Sequence, residues 1–307
     1  MQTLYITHPA CHLHEMGSWH PECPGRLDAI NDRLVASGLM DFINEQTAVP
    51  ATDADLLRVH GPGYIAYLRE HAPIEGYFQV DPDTVMNPHT LEAAWAAAGA
   101  GITAVDAVMQ QTHRSAFCAV RPPGHHARPA QAMGFCFLNN IAIAAAYALE
   151  QYSLERVAII DFDVHHGNGT EETFAGDPRV LMCSFFQHPL FPDQYQDPPA
   201  ENMVNIPVHA YAKGDDLRFL VSDVWMPRLR AFQPQLVFIS AGFDAHREDD
   251  MGQLGLVESD YAWITEQVVA LADEFAHGRV ISFLEGGYNL SALGRSAEVH
   301  IRALAKL

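Results

Sequence analysis

Residues 157–169 read VAIIDFDVHHGNG, and no other stretch constrains the fold of this chain as tightly. The run 157–162 is short, apolar and β-branched, the composition of a strand buried on both faces of a parallel sheet. Strand side chains alternate between faces, so Asp161, Asp163 and His165 set out on one side of the sheet edge. Gly167 and Gly169 end the run, which puts two carboxylates and two imidazoles at a strand's carboxyl end. Open α/β sheets form their ligand crevices there.

Three more apolar runs end in the same way. Residues 117–120 lead into RPPGHHA and deliver His125 and His126; 236–240 lead into AGFDAH and deliver Asp244; 280–284 lead into EGGYN and deliver Tyr288. One Asp or His after a strand is an ordinary turn or helix cap. Four strand ends carrying this set imply neighbouring parallel strands that open onto one crevice. Asp163, His165 and Asp244 are the candidate metal ligands, because two carboxylates and one imidazole leave coordination positions open for water and substrate, as in a catalytic zinc site. An oxygen-rich set would also accept Fe(II), Co(II) or Mn(II). The tandem His125–His126 reads as an acid/base pair, and the Tyr288 hydroxyl as a donor to a developing oxyanion.

Strand patterns alternate with helix patterns at Gly25–Ala36, 91–109, 140–150, 217–229 and 259–274, so the expectation is an α/β domain over 1–307 with a mostly parallel sheet flanked by helices. The segment MQTLYITHP reads as a first strand and carries no secretory pattern. No stretch of about 18 apolar residues suggests a membrane span. The small-residue segment 91–109 contains GAGITA, but with no strand before it a nucleotide-binding reading is poor. Two Pro/Asp-rich segments, 72–88 and 188–202, suit an active-site rim. The five cysteines have no C-x-x-C spacing, and Cys118 and Cys183 fall in apolar runs; reduced thiols and a cytoplasmic location are expected. With 38 acidic and 18 basic residues the net charge is −20, which repels nucleic acid and favours cationic partners.

The motifs RPPGHHA, MGFCFLNN, DFDVHHGNGT, SAGFDAH and LEGGYN, in this order, resemble those of the zinc-dependent histone deacetylases and acetylpolyamine amidohydrolases of the arginase–deacetylase superfamily. The resemblance extends from His20 to Tyr288, and Asn168 in GNGT is closer to the class II and bacterial branch. It implies an arginase–deacetylase-like three-layer fold and hydrolysis of an N-acetylamide. It implies further that Asp163, His165 and Asp244 bind Zn2+, that His126 is the general base and acid, and that His125 stabilises charge. Asp161 would then support His125, Asn168 would orient His126, and Tyr288 would hold the oxyanion. Gly134, Phe135 and Phe191 would wall a substrate tunnel, and Arg26 would match a buried Arg near an acetate exit path. A K+ site would be formed by Asp161, Asp163, His165, Ser184 and Phe185, and a second by Phe174, Asp177 and Val180.

The acidic balance favours a small cationic acetylated amine, an acetylpolyamine, with Glu75, Asp81, Asp83 and residues 248–250 as rim acids for a distal ammonium. An acetyl-lysine protein or peptide deacetylase is the alternative. A binuclear manganese ureohydrolase would need more bridging carboxylates than DVHHGN offers, and a catalytically dead acetyl-group binder would not need His125, His126 and Tyr288. A homodimer is the expected assembly, with no nucleic-acid or membrane partner.

Overall fold

A computed structural model describes residues 2–192, 195 and 197–307. Its strands are β1 (Thr3–Thr7), β2 (Ile43–Thr47), β3 (Phe78–Asp81), β4 (Thr84–Met86), β5 (Ser115–Cys118), β6 (Val157–Asp161), β7 (Val180–Gln187), β8 (Met203–Val208), β9 (Leu236–Ala241) and β10 (Val280–Leu284). Eight of them form one sheet in the order β2-β1-β5-β10-β9-β6-β7-β8, parallel at every pairing. The four runs read from sequence therefore lie side by side, as β5, β10, β9 and β6. Each of these strands is buried at every position, which requires cover on both faces and explains their unbroken apolar composition. The edge strands differ. β2 reads INEQT and is mostly exposed, while β8 carries Pro207, tolerable where one ladder is missing.

Helices Gly25–Ala36, Leu290–Ala305 and Glu258–Phe275 pack in series, and helices Thr90–Met109 and Asn140–Gln151 pack on each other against the strands. The Thr90–Met109 helix corrects one expectation, since it is long and apolar enough to cross a membrane by composition. In this fold 61% of its apolar window is buried inside the protein, so the small residues are those of a core helix.

Three other elements depart from the sequence reading. The rim segment 72–88 holds the antiparallel pair β3–β4. β5 begins two residues earlier than expected. The helix expected at 217–229 is α-helical over Gly214–Leu220, a π-helix over Val221–Trp225 and α-helical again over Met226–Phe232. Pro227 has no N–H for the i−4 carbonyl, and the wider turn lies just upstream of it.

Candidate active site

The chain leaves β6 in a pair of carboxylate-closed turns. Asp161 Oδ1 accepts from Asp163 N at 3.1 Å, and Asp163 Oδ1 accepts from His165 N at 2.9 Å. Val164 N donates to Asp244 Oδ1 at 3.0 Å, which draws the β9 loop onto the β6 loop. One donor atom each from Asp163, His165 and Asp244 thereby falls within 4.8 Å of the others, all three residues being buried. His165 Nδ1 lies 3.0 Å from Asp163 Oδ1 and 3.2 Å from Asp244 Oδ2. From the β10 loop, Gly286 N donates to Asp163 Oδ2 at 2.8 Å. Only glycine permits that approach, because a Cβ there would sit 1.9 Å from Asp244 Oδ2.

The electrostatics of this cluster favour a cation. Burial, then the charge of Asp163, pushes the Asp244 carboxyl up to about 7. Burial opposes a charged His165, yet the two carboxylates raise it to about 10. Asp244 Oδ2 is buried and accepts no hydrogen bond from the described residues. Two carboxylates, one imidazole and an unspent buried oxygen fit a divalent metal with open coordination positions.

Beside the cluster stand His125 and His126, rings 4.0 Å apart. His125 Nδ1 pairs with Asp161 Oδ2 at 3.0 Å; burial alone would lower its pKa, but the charges of Asp161, Asp163 and Glu285 raise it to about 10. His126 is the opposite case. Burial and then the neighbouring charges of His125 and His165 hold it well below the ordinary histidine value. Its Nδ1 lies 2.8 Å from Asn168 Oδ1, an oxygen that can only accept, so Nδ1 carries the proton and Nε2 is left as a base.

Sequence reasoning missed Glu285. Its Oε2 accepts from Gly124 N at 2.7 Å and His125 N at 3.1 Å, and Ser240 Oγ donates to its Oε1 at 3.3 Å. This fully buried carboxyl, pushed up to about 7 by burial, clamps the turn that bears both histidines. The available signal was an acid ending an apolar strand in LEGGYN.

Tyr288 is held between two groups. Its ring meets Phe135 edge-on at 5.8 Å, and the Arg26 guanidinium lies 4.9 Å over its face. Burial raises the phenol well above its ordinary value, so it remains a donor. Arg26 is fully buried; it donates to Gly287 O at 2.7 Å and pairs with Glu22, which also pairs with Arg121. Gly134, at φ +56°, has no room for a side chain: a Cβ would lie 2.6 Å from His126 Cδ2 and 2.9 Å from Phe191 Cε1. Phe191, 38% exposed, faces the rings of His126 and His165 at 5.1 and 6.2 Å. The two phenylalanines thus stand on opposite flanks of the site, Phe135 beside Tyr288 and Phe191 beside the histidines.

The two expected K+ rings differ. Asp161 and Ser184 are direct partners across β6 and β7, with Phe185 next along. Ser184 Oγ donates to Asn205 Oδ1 at 2.9 Å, which leaves its lone pairs free. In the second ring, the carbonyls of Phe174, Asp177 and Val180 already accept from Asn202 Nδ2 at 2.9–3.0 Å, and Gly176 N donates to Asn202 Oδ1. The amide fills the place where an ion would sit, so these residues do not fit a second cation. The rim acids also need correction. Glu248 binds Arg295 at 2.9 Å, and Asp249 is buried against the Tyr288 backbone. Glu75 and Asp250 are exposed, and Asp81 and Asp83 lie on the β3–β4 hairpin.

A model of the histone deacetylase domain matches residues 20–304. The chain belongs to the histone deacetylase family. Within that family it is 35% identical to a probable deacetylase of Archaeoglobus fulgidus, over 94% of this chain and 82% of that one. It is also 35% identical to the polyamine deacetylase HDAC10 of Mus musculus, over 92% of this chain but 44% of that longer protein. The HDA15 HD domain has the same fold, with a TM-score of 0.93 and 31% identity over 100% of this chain and 90% of that one. This family is one of deacetylases and amidohydrolases acting by hydrolysis, and the chain is one of them.

Proposed function

We propose that this protein is a zinc-dependent amidohydrolase that removes acetyl groups from N-acetylated aliphatic amines, with acetylpolyamines as its substrates. The observation that carries the chemistry is the Asp163–His165–Asp244 donor set beside His126, whose ring lies 5.9 Å from that of His165 and whose Nδ1 faces Asn168 Oδ1. When bound, the metal supplies Lewis-acid polarisation of the acetyl carbonyl and lowers the pKa of water. His126 Nε2 takes the proton from the attacking water and returns it to the leaving amine. Asn168 keeps that nitrogen free by accepting from Nδ1. His125, held positive by Asp161, stabilises negative charge beside it, and the Tyr288 hydroxyl donates to the carbonyl oxygen as charge develops there. Phe135 and Phe191 flank the methylene chain of the substrate. Asp161, Ser184 and the backbone carbonyls of Asp163, His165 and Phe185 hold one K+. Five free cysteines suit the cytoplasmic location we assign.

The polyamine reading draws support from the −20 charge and from Asp81 and Asp83, whose hairpin holds the tunnel wall through Thr84 Oγ1, 3.0 Å from Phe135 N. Burial and then the neighbouring Asp83 raise the Asp81 carboxyl, a repulsion that an ammonium would relieve. An acetyl-lysine peptide is the second reading. Trp19, 78% exposed, lies beside His20, whose ring packs on Phe135 at 4.6 Å, and would form a shelf for flanking residues.

Rates for acetylputrescine, acetylspermidine, a neutral acetylated alkylamine and an acetyl-lysine peptide, compared across a salt series, separate the two. Steering by the acidic surface predicts that kcat/KM favours the acetylpolyamines at low salt and that the advantage shrinks as salt screens it. Parallel salt curves, or a peptide faster than every acetylpolyamine, would overturn the substrate assignment and leave the hydrolytic chemistry standing.

A further inference from the structure

Tyr288 follows Gly286 and Gly287, and Gly287 sits at φ +118°. Two glycines leave that backbone little stiffness of its own. A hydroxyl that stabilises an oxyanion must nevertheless be held to a fraction of an ångström. Arg26 holds Gly287 O behind the ring, and a second restraint comes from the neighbouring loop. Asp249 Oδ2 accepts from Tyr288 N at 2.6 Å and from Asn289 N at 2.8 Å, while its Oδ1 accepts from Met251 N at 3.0 Å. Its own N–H donates to His246 O at 2.9 Å, and Asn289 Nδ2 donates to Glu248 O at 2.9 Å. Asp249 is 5% exposed, so its carboxylate is largely shielded from water although Tyr288 and Asn289 are only half-buried. The loop that carries it begins with Asp244, the candidate metal ligand.

We infer that Asp249 is a positioning residue for the hydrolysis, one carboxylate that ties the loop bearing a metal ligand to the loop bearing the oxyanion donor. This rests on the role proposed above for Tyr288. Its chemistry is that of a fixed acceptor: it touches no substrate and sets where the phenol stands relative to the metal.

A double-mutant cycle with Asp249→Ala and Tyr288→Phe tests it, using the metal-loaded protein, whichever of acetylputrescine or the acetyl-lysine peptide it hydrolyses faster, and zinc content as a second readout. Tyr288→Phe is expected to lower kcat by about 10²–10³. Asp249→Ala should lower kcat by roughly 10–100-fold, as a misplacement of about 1 Å does, with KM and zinc content nearly unchanged. In the Tyr288→Phe background Asp249→Ala should then cost less than about threefold, because the group it positions is gone. Asp249→Asn, which keeps one acceptor oxygen and guards against a folding failure, should recover part of the rate. Full additivity, loss of zinc in Asp249→Ala, or a rise in KM with kcat intact would overturn the inference. A wild-type rate in Tyr288→Phe alone would instead remove the Tyr288 role and the inference with it, so the two failures are told apart by that single variant.

Discussion

Two clusters of buried charge meet at the carboxyl ends of the same strands, and they are built to opposite rules. In one, Glu22 lies between Arg26 and Arg121, all three fully buried, and the guanidinium groups spend their remaining donors on the carbonyls of Cys11, His14, Glu285 and Gly287. In the other, Asp163 and Asp244 face each other across His165, and one Asp244 oxygen accepts no hydrogen bond from the described residues. Burial of charge is costly in both. The first cluster offsets that cost internally and is structure, holding the backbone behind Tyr288. The second leaves one buried Asp244 oxygen without a hydrogen bond among the described residues, as a site completed by a ligand would.

The largest expected effect is therefore on the unsatisfied cluster. Asp244→Asn should lose most of the bound metal and reduce deacetylation to background, measured by metal content and turnover. Its effect on stability should have the other sign. In chelated protein the Asp244 carboxyl, raised from 3.8 to about 7, destabilises the fold above the unfolded pKa. Chelated Asp244→Asn should thus melt no lower than chelated wild type near neutral pH. Full zinc and full rate in this variant would remove Asp244 from the ligand set.

Glu22 is the mirror case. Burial would raise its carboxyl, but the charges of Arg121 and Arg26 prevail and hold it down at about 2. A depressed folded pKa stabilises above about pH 4.5 and loses that contribution as pH falls toward 2. Glu22→Ala strands two buried guanidinium groups and should cost about 3–5 kcal/mol in denaturant melts, with zinc stoichiometry of the folded fraction unchanged. A variant that melts like wild type would mean the two clusters do not differ as described.

Asn168 lies between these extremes, a neutral partner on a catalytic group. With a pKa lowered by burial and then by His125, His126 is a free base above that value and is lost as a base when pH falls through it. The acid limb of kcat/KM should accordingly fall below pH 6.5. Asn168→Asp puts a carboxylate against Nδ1 and should move that limb up by about 1–2 units. An unmoved limb would show that a group other than His126 sets it.

The contrast between the clusters also marks what sequence could reveal. Asp161, Asp163, His165, Asp244 and Tyr288 were legible because each follows a short apolar run, and strand periodicity assigns such residues to one edge. Glu285 and Asp249 were not, because their work is to accept backbone N–H groups of residues 161 and 39 positions away in sequence, which leaves no local pattern. The same holds for Glu22, whose partner Arg121 is 99 positions distant. The π-helical turn was hidden because residue period does not report a one-residue slip in the hydrogen-bond ladder.

The smallest effect concerns Asn202, which turns a would-be unsatisfied site into a satisfied one. Three backbone carbonyls, of Phe174, Asp177 and Val180, converge on its Nδ2, an arrangement that otherwise calls for a monovalent cation. The amide supplies its donors from within the chain, and Gly176 N fixes its orientation by donating to Oδ1. Asn202→Ala would take this donor from Val180 O, while Phe174 O and Asp177 O keep the N–H groups of Asp177 and Val180, at a cost of about 1 kcal/mol. The vacated space would be edged by the three carbonyl oxygens and by Gly176 N, and K+ could enter it where the bulkier tetramethylammonium could not. Melting temperatures in potassium and tetramethylammonium chloride at matched ionic strength should then diverge more for Asn202→Ala than for wild type, by a few degrees. Equal divergence in the two proteins would mean that the carbonyl ring is held open by the fold rather than by the amide, and that its filling by Asn202 carries no energetic weight.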